Sequence, residues 1–213
     1  MFDAGIQSAV FLDLDSVDRD DLDLSRLTAS VSQWEWHGLV SDDDLHDILA
    51  GTDVVITNKV VLTDEHLSRA DRLKLVCIAA TGTNNVDIEA AARNNIAVCN
   101  VSAYATPAVV QHVFTLLLVL TTRFNEYTAA VRRGDWSRSP FFCPLDYPLR
   151  ELAGKRIGIV GYGNLGRAVA KVAAAFGMHV LLARRDAEDT RPERLDLHEL
   201  LPLVDVLTLH CPL

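Results

Sequence analysis

A glycine-rich hexapeptide, Gly-Tyr-Gly-Asn-Leu-Gly at residues 161–166, constrains the possible fold more than any other segment of the sequence. It follows an apolar run at residues 156–160 that predicts a strand, and a predicted helix begins within it. Gly161 permits a tight turn, Gly163 lets the backbone approach a phosphate, and Gly166 lets the helix pack closely on the strand. In this context the hexapeptide, hereafter the fingerprint, predicts the pyrophosphate-binding turn of a dinucleotide site. The alternative is a glycine-rich turn without a ligand.

Short apolar segments alternate with helical segments along most of the chain, which predicts parallel sheets covered by helices. In the first hundred residues the predicted strands are 9–15, 29–34, 54–57, 75–79 and 97–99. We therefore predict an α/β protein with three regions. These are a flavodoxin-like domain over residues 1–103, an interdomain helix and arm over residues 104–150, and the first half of a Rossmann dinucleotide-binding domain over residues 151–213.

The helix predicted at residues 108–123 is apolar on almost every side. Because such a helix must be buried all round, we expect it to lie between two domains or between two subunits. The following segment, residues 134–148, is rich in proline, glycine and aromatic residues and predicts an irregular arm. Its aromatic side chains either cover a partner surface or fold back on their own domain.

The apolar runs at residues 156–160, 180–183 and 206–210 are interpreted as strands 1, 2 and 3 of the Rossmann sheet. Such a sheet has the order 3-2-1-4-5-6, so strand 4 would lie beside strand 1. On this assignment strand 1 has an unpaired edge, and unpaired edges promote aggregation. We therefore expect a chain ending at Leu213 to aggregate or to bury that edge against another chain.

Arg184 and Arg185 lie about 20 residues after the fingerprint. At this position an NAD-binding protein has an acidic side chain that accepts hydrogen bonds from the ribose hydroxyls. An arginine cannot accept hydrogen bonds from those hydroxyls, but it can hold a 2′-phosphate through charge-assisted hydrogen bonds. The cofactor is therefore NADP or NAD, with NADP favoured. The alternative is that Arg184 is only a surface residue and that Asp186 reaches back to the ribose.

Composition excludes several classes of partner. The net charge is −9, and the surplus of acids lies in the first fifty residues, which argues against nucleic-acid binding. No apolar run approaches the roughly 20 residues that a membrane span needs, and the N-terminus does not resemble a secretory signal. The four cysteines include no C-x-x-C pair, which indicates reduced thiols in a cytoplasmic protein without a metal site.

Seven segments together resemble the D-isomer-specific 2-hydroxyacid dehydrogenases, and within them the hydroxypyruvate reductase (glycerate dehydrogenase) branch. The matching segments are residues 11–13, 57–60, 80–87, 100–112, 152–155, 176–178 and 210–213. They are spread over nearly the whole chain. The segments around Thr81 and Thr106 are much more specific than the glycines.

The resemblance implies an oxidoreductase that transfers hydride between NAD(P)H and a small 2-oxo acid or D-2-hydroxy acid, most closely hydroxypyruvate or glyoxylate. It implies a homodimer in which the flavodoxin-like region is the substrate domain. Backbone amides of Thr81 and Gly82 would hold the substrate carboxylate, and Thr106 would lie near the nicotinamide. At the cofactor phosphates the resemblance places Gly163, Asn164 and Leu165, between Gly161 and Gly166, and beside the adenosine half it places His210 and Pro212.

The family's catalytic arginine, acid and histidine follow the position that matches Leu213. We therefore predict no catalytic residue in this chain and no reductase activity from its 213 residues alone. His112 lies on the apolar helix and is interpreted as a core histidine. Two other functions stay open: a binding protein that senses NAD(P) without turnover, and a different Rossmann enzyme such as a hydrolase of adenosyl compounds. The Thr81–Gly82 segment argues against the hydrolase.

Overall fold

The computed structural model describes residues 5–186 and 188–211. The chain divides into two compact units, Met1–Ser102 and Ala103–Leu213. Each unit has its own parallel sheet and its own hydrophobic core, so each is described separately.

The first unit is a five-stranded parallel sheet in the order β2-β1-β3-β4-β5. Its strands are β1 (Ser8–Phe11), β2 (Gln33–Trp36), β3 (Val54–Thr57), β4 (Leu75–Ile78) and β5 (Ala97–Asn100). Its helices are α1 (Ser25–Thr28), α2 (Asp42–Ala50), α3 (Asp64–Ser68) and α4 (Ile88–Arg93). This strand order is the flavodoxin-like order, which confirms the predicted fold class of this region.

The main hydrophobic cluster of the first unit lies on one face of this sheet. Val10, Val55 and Val76 are fully buried there and belong to one cluster with Leu45 and Leu49 of α2. Side chains on a strand alternate between faces, so these three valines point to the same side as the helices that cover them. The carboxyl ends of the strands are left for the loops that carry the predicted substrate residues.

The second unit begins with helices and continues into a four-stranded parallel sheet. Its helices are α5 (Thr106–Thr122), α6 (Phe124–Arg132), α7 (Asp135–Arg138), α8 (Asn164–Ala175) and α9 (Leu197–Leu200). Its strands are β6 (Arg156–Val160), β7 (His179–Ala183), β8 (Arg194–Leu195) and β9 (Val206–Leu209). Phe114 of α5 stacks on Phe176 at the end of α8, with ring centres 5.3 Å apart, and both helices cover Ile157 and Ile159.

The strand order in this sheet is β8-β7-β6-β9, which corrects the predicted assignment. The segment interpreted as strand 3 is β9, and it pairs with β6 from Ile157↔Val206 to Val160↔Leu209, in the position of strand 4. The position of strand 3 is taken by β8, whose two residues are too few to show a periodic pattern. Both edges of β6 are therefore paired, and the prediction of an unpaired strand 1 was wrong.

Helix α5 is buried on one side only by the residues that the structure describes. Phe114 and Leu117 are buried, whereas Leu116 and Leu120 are 51% and 71% exposed. Its place between domains or subunits therefore stays a prediction. No single described helix is long and apolar enough to cross a membrane, although α5 and α6, bent by 61° at their junction, reach that length and composition together.

Helix α6 was not predicted from the sequence, and it gives the irregular arm a partner. Tyr127 of α6 meets Tyr147 edge to face at 5.2 Å, and its hydroxyl donates to the Tyr147 carbonyl at 2.8 Å. Part of the arm thus folds back on its own unit. Phe142 nevertheless remains 95% exposed.

Candidate functional site

The fingerprint glycines differ in what surrounds them. Gly161 has φ +90°, and a Cβ on it would lie 2.5 Å from the carbonyl carbon of His210. A Cβ on Gly166 would lie 2.1 Å from the carbonyl oxygen of Gly161. Both positions therefore require glycine for packing. A Cβ on Gly163, in contrast, would meet nothing within 4 Å, so this glycine faces open space.

The start of α8 is suited to an anion. Gly163 is the N-cap residue, and no side chain caps the helix, so its first amide groups keep their donors. These amides and the positive end of the helix dipole attract a phosphate. Asn164 and Leu165 form the first turn, and Arg167 adds a positive charge there, with its guanidinium 2.8 Å from the Asn164 side-chain oxygen. The residues present therefore fit the pyrophosphate of a dinucleotide.

Arg184 and Arg185 lie directly after β7, as predicted. Arg184 is exposed, and its Nε donates to the carbonyl oxygen of Arg194 at 3.2 Å. No carboxylate among the described residues forms an ion pair with Arg184. The side chain of Arg185 is 83% exposed and lies 3.6 Å from the carboxylate of Asp186. Two guanidinium groups therefore stand in solvent at the end of the second strand of this sheet.

The acids of the same loop have other partners. Asp186 accepts the backbone N–H of Glu188 at 3.1 Å besides its contact with Arg185. Asp189 is nearly buried and accepts hydrogen bonds from the guanidinium groups of Arg191 and Arg194. The Arg191 hydrogen bonds hold the pKa of the Asp189 carboxyl well below its usual range. Asp189 is thus an ionised acceptor that is already saturated by this chain.

His210 and the fingerprint are brought together by the pairing of β9 with β6. The backbone N–H of His210 donates to the carbonyl of Val160 at 2.7 Å, and the His210 carbonyl packs against Gly161. Its ring lies 2.9 Å from the hydroxyl of Thr208, and burial lowers the pKa of His210. The structure therefore places His210 beside the predicted phosphate turn. Pro212 lies outside the described residues.

Thr81 and Gly82 belong to the first unit, where they form a turn after β4. The Thr81 hydroxyl donates to the carbonyl of Val101 at 2.9 Å, and the Asn100 amide donates to the Thr81 carbonyl at 2.7 Å. These bonds fix the turn against the end of β5. Both residues are exposed, and neither of their backbone N–H groups has an acceptor among residues 5–186 and 188–211. Two fixed, free amides are the donors that a carboxylate needs.

Thr106 is the first residue of α5, in the second unit. Its hydroxyl is buried and finds no hydrogen-bond partner in the described part of the chain. Buried hydroxyls are normally paired, so the unpaired hydroxyl of Thr106 could donate to or accept from a bound group. The position near the nicotinamide that the resemblance implies for Thr106 stays a prediction.

Sequence reasoning missed one group of residues in this site. The guanidinium of Arg194 lies 5.8 Å from the centre of the Tyr162 ring, and Tyr162 is part of the fingerprint. Arg194 also pairs with Asp189 at 3.0 Å. The only signal in the sequence is the density of charges between Arg184 and Arg194, which does not reveal which charges pair.

The sequence is similar to those of several known proteins. The family model of the D-isomer specific 2-hydroxyacid dehydrogenase, NAD binding domain, matches residues 114–213. The glycerate dehydrogenase of Methylorubrum extorquens is 37% identical over 209 residues, covering 97% of this chain and 64% of that protein. The hydroxypyruvate reductase of Blautia hydrogenotrophica is 36% identical over 177 residues, covering 80% and 55%. The chain thus spans less than two thirds of the length of these relatives.

Solved structures give the same picture of the fold. A protein from Thermus thermophilus is similar with a TM-score of 0.76 and 29% identity, over 97% of this chain and 65% of that one. The D-lactate dehydrogenase of Aquifex aeolicus, complexed with NAD and lactic acid, is similar with a TM-score of 0.74 and 26% identity, over 96% and 61%.

Proposed function

The chain belongs to the D-isomer-specific 2-hydroxyacid dehydrogenase family, and we propose that it supplies the cofactor and substrate sites of an NAD(P)-dependent oxidoreductase. This enzyme acts on a small 2-oxo acid or D-2-hydroxy acid. The fingerprint carries this proposal, because Gly163 leaves open space before the uncapped start of α8. When bound there, the cofactor supplies the hydride. The chain itself holds the pyrophosphate on the amides of α8.

The substrate is hydroxypyruvate or glyoxylate in this proposal. The free amides of Thr81 and Gly82 bind its carboxylate, since the contacts with Asn100 and Val101 keep that turn in place. The names of the relatives support this choice, since they include a glycerate dehydrogenase, a hydroxypyruvate reductase and a glyoxylate reductase. No proton transfer is assigned to a residue of this chain. We therefore propose that the 213 residues alone bind cofactor and substrate without turnover.

NADP is the preferred cofactor in this proposal. Arg184 has no described carboxylate partner, and Asp186 and Asp189 are engaged by Arg185, Arg191 and Arg194. Asp189 is therefore saturated by this chain and the exposed Asp186 lies beside Arg185, whereas Arg184 is available for a 2′-phosphate.

We also place the protein in the cytoplasm as a homodimer. The four cysteines include no C-x-x-C pair, which is typical of reduced thiols in a cytoplasmic protein. Burial and the neighbouring Cys99 thiol raise the pKa of Cys77 to about 12, so it stays protonated. The exposed side chains of Leu116 and Leu120 on α5 offer an apolar surface for a second copy.

The test of the proposed site is the variant Gly163→Val. Its side chain would enter the open space before α8 and exclude a phosphate, so we expect affinity for NADPH and NADH to fall by about tenfold or more. Isothermal titration calorimetry on the purified chain measures both affinities. The thermal unfolding midpoint should change little, because Gly163 is exposed and its Cβ position has no atom within 4 Å.

Gly51→Ala is the matched control, since Gly51 also has open space around its Cβ position and lies in the first unit. It should leave dinucleotide affinity unchanged. If Gly163→Val binds dinucleotides as tightly as the unmodified chain, the fingerprint is a turn without this ligand and the proposed function fails.

A further inference from the structure

Arg194 is almost completely buried although it is charged. Its side chain is 10% exposed, and its Nη1 lies 3.0 Å from the carboxylate of Asp189, which is itself 4% exposed. A buried guanidinium is stable only when it is paired, so this contact holds residue 189 and residue 194 of the loop together. The loop after β7 is therefore held in place by an ion pair between two of its own residues.

The same guanidinium reaches the fingerprint. It lies 5.8 Å from the centre of the Tyr162 ring, within the range of a cation–π interaction. Its Nε is buried and has no acceptor in the described residues. The position of the Arg194 side chain therefore depends on Asp189 and Tyr162. These contacts connect the loop after β7 to the fingerprint.

The backbone around Arg194 also fixes Arg184. The carbonyl of Arg194 accepts a hydrogen bond from the Arg184 Nε at 3.2 Å, and the Arg184 N–H donates to the Leu195 carbonyl at 2.8 Å. A shift of Arg194 would therefore move the guanidinium of Arg184. Recognition of a phosphate by arginine depends on the direction of its N–H groups, so such a shift would matter for a ligand.

We propose that Arg194, held between Asp189 and Tyr162, is a positioning residue that directs Arg184 toward the ribose 2′-phosphate of the cofactor and so sets the discrimination between NADP and NAD. This inference rests on the proposed function, which includes the preference for NADP. Arg194 acts through Arg184 and does not itself contact the cofactor.

A purely structural role for Arg194 makes a different prediction. If the buried pair only stabilised the unit, its loss would weaken both dinucleotides equally, because the adenosine and pyrophosphate are common to them. The ratio of the two dissociation constants therefore separates positioning from stability.

The experiment compares NADPH and NADH binding by calorimetry on the full 213-residue chain and on Arg194→Met. We expect Arg194→Met to weaken NADPH binding by about tenfold while NADH binding changes by less than about twofold. Arg191→Met is the matched control, because it removes a second cation from Asp189 without touching Tyr162 or Arg184. It should keep the NADPH to NADH ratio of the unmodified chain.

Circular dichroism verifies that each variant folds. If Arg194→Met does not fold, Tyr162→Leu takes its place, since it removes the ring and leaves the ion pair with Asp189. Tyr162→Phe retains the ring and is its control. The expected result is again a selective loss of NADPH affinity for the leucine variant only.

Two results overturn the inference in distinguishable ways. An equal loss for both dinucleotides, or an unchanged ratio in a chain that still prefers NADPH, rejects the role of Arg194 and leaves the proposed function intact. Binding of NADH by the unmodified chain as tightly as NADPH rejects the NADP preference, and the inference falls with it.

Discussion

At the scale of single residues, similar side chains in this site have different surroundings. Gly161 and Gly166 are enclosed by backbone, whereas Gly163 is open, although the three occupy one hexapeptide. Asp186 is exposed beside Arg185, whereas Asp189 is nearly buried between two arginines. The surroundings therefore distinguish glycines and acids that residue type alone does not.

We expect one substitution to reverse the proposed preference for NADP. Arg184→Asp should make the chain prefer NADH, because the carboxylate accepts hydrogen bonds from ribose hydroxyls and repels a 2′-phosphate. The loss for NADPH should be roughly 1.5–3 kcal/mol, the range of hydrogen bonds to charged groups. Binding titrations with both dinucleotides measure this change.

Arg132→Asp provides the control for that charge change, since Arg132 is exposed at the end of α6. It should leave the cofactor preference unchanged. A preference for NADPH that survives Arg184→Asp would mean that another residue contacts the 2′-phosphate.

Secondary-structure elements were predictable from the sequence where they were long enough to show an apolar pattern. Strands β3 and β6 agree with the predicted segments 54–57 and 156–160, because each is an apolar run of strand length. Strand β8 was missed because two residues carry no periodicity, and this error moved β9 to the wrong side of the sheet. The contacts of Arg194 were unpredictable for a related reason, since side-chain pairing in a charged loop depends on the fold around it.

The N-terminus of α4 provides a test at the level of an element. Asp87 caps this helix by accepting the backbone N–H of Ala90 at 2.9 Å. Asp87→Ala should lower the free energy of unfolding by about 1 kcal/mol, the usual effect of losing an N-cap. Urea unfolding measures this change.

Asp87→Asn should retain the stability of the unmodified chain, because asparagine caps helices about as well as aspartate. Equal destabilisation by the alanine and asparagine variants would show that the charge of Asp87, and not its capping hydrogen bond, stabilises this region.

For the whole molecule, the two units differ in how they place their functional residues. The first unit offers free backbone amides on a turn after β4, and the second offers an uncapped helix start after β6. In both cases a loop or helix at the carboxyl end of a parallel strand carries the site, as is general for open α/β sheets. In our proposal the first sheet therefore positions the substrate-binding amides, and the second positions the pyrophosphate-binding helix start.

Pairing of β6 on both edges has a measurable effect in the complete fold. The backbone amides of Gly158 and Val160 should exchange with deuterium slowly, because they point toward β9 and β6 lies between β7 and β9. The amides of β9, the outermost strand of the described sheet, should exchange faster. Hydrogen exchange followed by mass spectrometry compares the two strands. Rapid exchange throughout 156–160 would contradict the pairing with β9.

The position of β9 also has a consequence during biosynthesis. The chain emerges from the ribosome in sequence order, and roughly 45 residues must follow Val160 before Val206 appears. At a synthesis rate of about 5–20 residues per second, one edge of β6 has no partner strand for roughly 2–9 s. The nascent chain therefore passes through an interval in which its most buried strand of this unit is half-paired, and chaperones that bind exposed strands would act on it then.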